Sequence, residues 1–172
     1  MNVVVATLNA KYIHTCLALR YLKAYAAPEF DVHICEFTIK DPALNIATDL
    51  FNKQADVIGF SCYIWNIEET ITVVNLLKKI NPALTIVLGG PEVSYDVIDW
   101  LDRVKEADFI VIGEGEKPFK SLLSALKDNE HYHDIDGLAF RENGKNIIHP
   151  PKTKLDLNTI PSPFRFQEDL SD

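Results

Sequence analysis

At 172 residues and 47% apolar content, the chain is long enough for one domain with a sizeable core. Its formal charge of −8 argues against a general nucleic-acid partner, because phosphate binding relies on Lys and Arg, and leaves a small neutral or cationic ligand open. No apolar run approaches the roughly 18 residues of a membrane span, and strand-like Val3-Val4-Val5 stands where a basic, cleavable leader would be, so a cytoplasmic protein is expected.

Asn2 to Leu8 reads as a first strand, followed by the polar loop Asn9-Ala10-Lys11. From Tyr12 to Ala26 the apolar residues recur with a helical period, and Pro28 closes that segment. Asp31 to Phe37 alternates and predicts a strand near a sheet edge. Asp41-Pro42 predicts an N-cap and first helical residue for a helix carried by Leu44, Ile46, Ala47, Leu50 and Phe51. Asp56 to Ser61 is a short apolar strand, and Asn66, with Glu69 three residues on, predicts a capping box for the next helix.

Thr85 to Glu92 places four apolar residues ahead of Gly89-Gly90-Pro91, as expected for a strand covered on both faces that ends in a turn. Val93 to Val104 predicts a helix. Phe109 to Ile112 predicts a fifth strand ending at Gly113 and Gly115, and Lys117 to Asp128 the last helix. Beyond it, Gly137 to Arg141 and Asn146 to His149 flank Asn143-Gly144, a strong hairpin signal. After Pro150-Pro151 the chain reads as an extended, proline-punctuated tail.

Strands alternating with helices predict an α/β, doubly wound parallel sheet of flavodoxin-like order 2-1-3-4-5, with the hairpin extending one edge. In that topology Asn9 to His14, Ser61 to Asn66, Gly89 to Glu92 and Gly113 to Glu116 meet at the carboxyl rim, where open α/β sheets bind ligands. Glycines there let a ligand approach the backbone, while Ser61, Tyr63 and Trp65 suit a large, partly flat and partly polar molecule.

Several chemistries are not signalled. The first turn lacks the Gly-x-Gly-x-x-Gly of a dinucleotide fold, and no phosphate-binding Gly-Lys-Ser/Thr loop occurs. Thr7, Leu8 and Asn9 stand where a phospho-receiver domain carries acidic residues. Cys16, Cys35 and Cys62 are too widely spaced for a metal cradle and read as small buried hydrophobes. His131 and His133 read as a solvated loop, and Glu114 and Glu116 as groups that cap the following helix and favour its positive end.

Asp56-Val-Ile-Gly-Phe-Ser61, Val87-Leu-Gly-Gly-Pro-Glu92 and Asp108 to Glu116, in that order and spacing, resemble the N-terminal cobalamin-binding domain of B12-dependent radical S-adenosylmethionine (SAM) enzymes, the group that includes the anaerobic magnesium-protoporphyrin monomethyl ester cyclases. The resemblance implies a Rossmann-like cobalamin domain over residues 1–150. It also implies that 151–172, with Ile160-Pro-Ser-Pro-Phe164, is a linker toward a radical SAM barrel that would carry a CxxxCxxC-bound 4Fe–4S cluster and SAM; this sequence has no such motif. The nucleotide tail would lie along Ser61, Gly89 and Gly90, with the corrin over a rim formed by Asn9, Tyr63, Trp65, Pro91 and Glu92. Gly113, Glu114 and Gly115 would line the same side.

Other B12 domains carry Asp-x-His-x-x-Gly, whose His binds cobalt from below. Here Tyr12-Ile-His14 keeps only the His, so His14 is the candidate cobalt ligand. The chain would position the corrin and hold no catalytic residue of its own. Two other readings of the same residues are a ligand-free interaction or regulatory domain and a small-molecule enzyme using Glu92 or Glu114 as base.

Overall fold

The computed structural model describes residues 1–152, 155–164 and 166. Seven strands form one sheet in the order β2-β1-β3-β4-β5-β6-β7. They are β1 (Val3–Asn9), β2 (Val32–Thr38), β3 (Val57–Ser61), β4 (Thr85–Gly89), β5 (Phe109–Val111), β6 (Leu138–Glu142) and β7 (Lys145–His149). The first five are parallel in the expected order, and the antiparallel hairpin β6–β7 continues the sheet from β5. Its turn places Asn143 at φ 49° and Gly144 at φ 75°, the pair of positive values that a two-residue hairpin needs.

Successive residues of a strand face opposite layers, which divides the core in two. Val4, Ala6, Leu8, Ile58, Phe60, Ile86 and Leu88 pack on one side with α2 (Ala43–Asn52), α3 (Ile67–Ile80) and α4 (Val97–Arg103). Val3, Val5, Val57, Val87, Phe109 and Val111 pack on the other with α1 (Leu17–Ala26) and α5 (Glu116–Asp128). Gly59, Ser61 and Gly89 fall in the second register, so the α1/α5 layer loses side-chain volume near the carboxyl end of the sheet.

Four local expectations are corrected. The first helix starts at Leu17 rather than Tyr12, because Glu36 on β2 holds the preceding loop: its carboxylate accepts from Asn9 Nδ2 (2.7 Å), Thr15 Oγ1 (2.8 Å) and the Cys16 N–H (3.0 Å). The helix after Asp41 begins at Ala43, and the Asp41 carboxylate turns back to accept from the Thr38 N–H at 2.7 Å. The segment after Pro91 is helical only over Val97–Arg103, entered through Asp96 at φ 50°. His133 is only partly solvated: its Nε2 lies 2.7 Å from Glu142 Oε1, and its ring stacks on Tyr132 and meets Phe140 edge-on.

The tail crosses the α1/α5 side. Lys152 pairs with Asp136 at 2.8 Å, Leu157–Thr159 forms a single 3-10 turn, and Lys23 Nζ lies 4.7 Å from the Phe166 ring centroid. The acidic end expected after Phe166 falls outside the described residues. Among the described residues no helix is long and apolar enough to cross a membrane.

Candidate functional site

The loop after β3 is built around Asn66. Its side chain is fully buried and does not cap α3 with Glu69 as expected. Oδ1 accepts from the Tyr63 N–H at 2.8 Å, while Nδ2 donates to the carbonyls of Leu8 and Ser61, each at 3.1 Å. One amide therefore ties the end of β1 to the β3 loop and sets the position of Tyr63. On that loop Tyr63 and Trp65 stack with centroids 4.4 Å apart and planes 8° from parallel. Burial pushes the Tyr63 phenol above its ordinary pKa, opposed by a hydrogen bond with Ser61.

Gly90 and Ser94 shape the neighbouring loop. The Cys62 N–H donates to the Gly89 carbonyl at 2.7 Å, and Glu92 N–H to the Cys62 carbonyl at 3.3 Å, so the two strand ends run close together. Gly90 has φ +104°, and a Cβ there would stand 2.6 Å from the Cys62 carbonyl oxygen. Only glycine fits that approach. Ser94 Oγ then donates to the Gly90 carbonyl at 2.8 Å and accepts from the Gly113 N–H at 3.0 Å, joining the two glycine-bearing loops.

Between these loops and helices α1 and α5 lies a cavity of about 400 Å³. Of the expected site residues, Ser61, Tyr63, Gly89, Gly90, Pro91, Gly113, Glu114 and Gly115 line it. Asn9, His14, Trp65 and Glu92 lie outside it. Asn9 is engaged by Glu36 and the His14 carbonyl, His14 is exposed on the loop after β1, and Trp65 backs Tyr63 from the rim. The alternation of β4 and β5 brings Val87 and Val111 into the same wall.

Ala18, Leu19, Leu22 and Phe119 also line the cavity, and sequence reasoning took them only as core positions of their helices. Ser94 and Tyr95 were missed altogether. The helical period of Leu19 and Leu22 carries no sign that they face a void. That void follows from Gly89 opposite, where a Cβ would meet only Val111 atoms, at 3.7 Å; at Gly59 the Phe119 ring takes up the space, 3.3 Å from where a Cβ would stand.

Glu114 and Glu116 do not cap α5 through their side chains, whose N-cap residue is Gly115. Glu116 lies in the first turn, where a carboxylate complements the helix dipole. Glu114 instead accepts from the Leu155 N–H at 2.9 Å. Among the described residues no group of three or more His, Cys, Asp or Glu could hold a metal ion.

Residues 3–123 match the B12 binding domain family. The chain belongs to that family. The B12 domain is 31% identical over 113 residues to the cobalamin-dependent radical SAM methyltransferase TokK of Streptomyces tokunonensis, covering 64% of this chain and 17% of that protein. It is 34% identical over 88 residues to the anaerobic magnesium-protoporphyrin IX monomethyl ester cyclase of a Synechocystis strain, covering 51% of this chain and 16% of the other. In three dimensions the B12 domain superposes on the cobalamin-dependent S-adenosylmethionine radical enzyme OxsB, solved with aqua-cobalamin and S-adenosylmethionine, with a TM-score of 0.73 at 20% identity, covering 89% of this chain and 23% of that one. The chain spans less than a third of the length of the curated relatives it matches.

Proposed function

We propose that this domain holds cobalamin for a longer B12-dependent radical SAM enzyme and does no chemistry by itself. The observation that carries the reading is the slot in the α1/α5 layer, open beside Gly89, floored by Gly59 and Phe119, and walled at its mouth by the Gly90 and Gly113 loops. At about 400 Å³ it falls within the roughly 300–1,000 Å³ typical of small-molecule sites. A slot between sheet and helices that opens beside the Tyr63–Trp65 stack fits a ligand with a tail and a flat head.

In this reading the nucleotide tail enters along Ser61, Gly89 and Gly90, and Gly113, Glu114 and Gly115 form the opposite wall. Tyr63, Trp65, Pro91, Glu92 and Asn9 form or support the rim beneath the corrin. Asn66 and Glu36 are positioning residues, since they fix the two rim loops without lining the slot. His14 is the imidazole nearest in sequence to the rim and the candidate nitrogen donor toward cobalt. Bound cobalamin supplies a corrin cobalt for methyl transfer or radical chemistry on a substrate held elsewhere. Residues 1–150 form the cobalamin module, and 151–172 lead toward a barrel carrying a 4Fe–4S cluster and SAM.

Anaerobic titration of the chain with hydroxocobalamin, followed by corrin absorbance and tryptophan fluorescence, tests the reading. Saturable binding of one equivalent is expected. Absence of any spectral change at millimolar cobalamin would replace it with the ligand-free interaction domain.

A further inference from the structure

The slot is chemically graded along its depth. Its polar side chains, Ser61, Tyr63, Ser94, Tyr95, Glu114 and Glu116, all sit at or beyond the strand ends or in the first turn of α5, and so belong to the mouth. Deeper in, the lining is Leu19, Leu22, Gly59, Val87, Val111 and Phe119. The backbone there is also spoken for. Gly59 lies between Val5 of β1 and Val87 of β4 in the parallel ladder, and Val87 is paired with Phe109 on its other side. On the helical side the Phe119 N–H donates to the Gly115 carbonyl, and Leu22 lies past the first turn of α1, where backbone N–H groups bond within the helix. Among the described residues, therefore, the floor has no side-chain hydrogen-bonding group, and the backbone of Gly59, Val87, Leu22 and Phe119 lies within the ladder and the helices.

A base that enters this slot far edge first leaves that edge against hydrocarbon. A dimethylbenzimidazole presents two methyl groups there, and a cresol one methyl group. Adenine presents an amino group and a ring nitrogen, both of which lose water and gain no partner. We propose that the slot selects among corrinoids by the base that ends the nucleotide tail, accepting bases with a hydrocarbon far edge and disfavouring adenine. This rests on the cofactor reading above.

The test is a set of anaerobic titrations of the 172-residue chain with cobalamin, the cresol-bearing cobamide, the adenine-bearing cobamide and cobinamide, which lacks the nucleotide. The cresol form is expected to bind as cobalamin does, and the adenine form about tenfold to a hundredfold more weakly, the range by which an apolar pocket resists an added polar group. Leu22→Gln, which places an amide at the floor, should narrow that gap. Adenine-bearing cobamide binding as tightly as cobalamin would overturn the selection while leaving the cofactor reading intact. So would cobinamide binding as tightly as cobalamin, since the tail would then contribute nothing, or an unchanged gap in folded Leu22→Gln protein. If none of the four corrinoids binds, the cofactor reading itself falls.

Discussion

Glu114, on the turn after β5, accepts a hydrogen bond from the backbone N–H of Leu155 at 2.9 Å, and so fastens the C-terminal tail to the wall of the slot. The same turn carries Gly113, where an added Cβ would lie 3.8 Å from Pro151, so the tail packs on it as well as bonding to it. Glu114→Ala removes the acceptor and leaves the Lys152–Asp136 pair in place. Amide exchange at Leu155 should rise about fivefold, the value of one net hydrogen bond, with little change elsewhere. An unaltered rate at Leu155 would mean that the tail is held by other contacts.

Gly89 and Gly90 are adjacent but answer to different constraints. Gly90→Ala forces a side chain into φ +104° and against the Cys62 carbonyl, so it should destabilise the fold by roughly 1–3 kcal/mol or more in chemical denaturation. Gly89→Val meets ordinary contacts at 3.7 Å and should melt near the parent temperature. Its methyl groups occupy the slot, so cobalamin affinity should drop about tenfold or more. A well-folded Gly89→Val protein with parental affinity would remove the slot from the binding site.

Asn66→Leu leaves the Tyr63 N–H and the carbonyls of Leu8 and Ser61 without their side-chain partner in a fully buried setting. Loss of such a network should cost about 2–4 kcal/mol in a guanidinium unfolding curve. Because Tyr63 is placed by the same amide, near-ultraviolet circular dichroism of the Tyr63–Trp65 stack should change under conditions where the protein is still folded. An intact stack signal would show that Tyr63 is held without Asn66.

Cys62 is fully buried, and burial pushes its thiol from 9.0 up to about 12. Since the folded state holds the proton more tightly than the unfolded chain, the two states bind it equally below pH 9, and stability then declines as pH rises from 9 toward about 12. Folded protein at pH 8.5 should leave Cys62 unlabelled by iodoacetamide, whereas unfolded protein labels it fully. Labelling of Cys62 at the unfolded rate in folded protein would mean that the β3 end opens to solvent.

Much of this architecture is legible because the relevant signals are local. Ile58 and Phe60, Ile86 and Leu88, and Ile110 are apolar runs that only a doubly covered sheet can bury, and Asn143-Gly144 announces its own turn. The rim glycines are legible for the same reason, since parallel topology puts strand ends together. What escapes are interactions set by register between distant segments. Glu36 faces Thr7 across the β1–β2 ladder, which brings it to the Asn9 and Cys16 loop and shortens the first helix by a turn. Asn66 resembles a local cap in sequence but spends its amide on Leu8, 58 residues away. Leu22 and Phe119 look like any core residue until the absent side chain at Gly89 and the packing of Phe119 on Gly59 are set beside them.

The hairpin redraws where this module ends. The family signature stops at residue 123, inside α5, yet β5 is only three residues long and its outer side is taken by β6. Arg141 on β6 also donates to the carbonyls of Leu101, Lys105 and Ala107, closing the C-terminal end of α4. A segment transplanted at the signature boundary would carry a naked strand edge next to an uncapped helix, the arrangement that invites edge-to-edge aggregation. Recombination between enzymes, by evolution or by hand, therefore keeps the seven-stranded sheet whole when the crossover falls after His149.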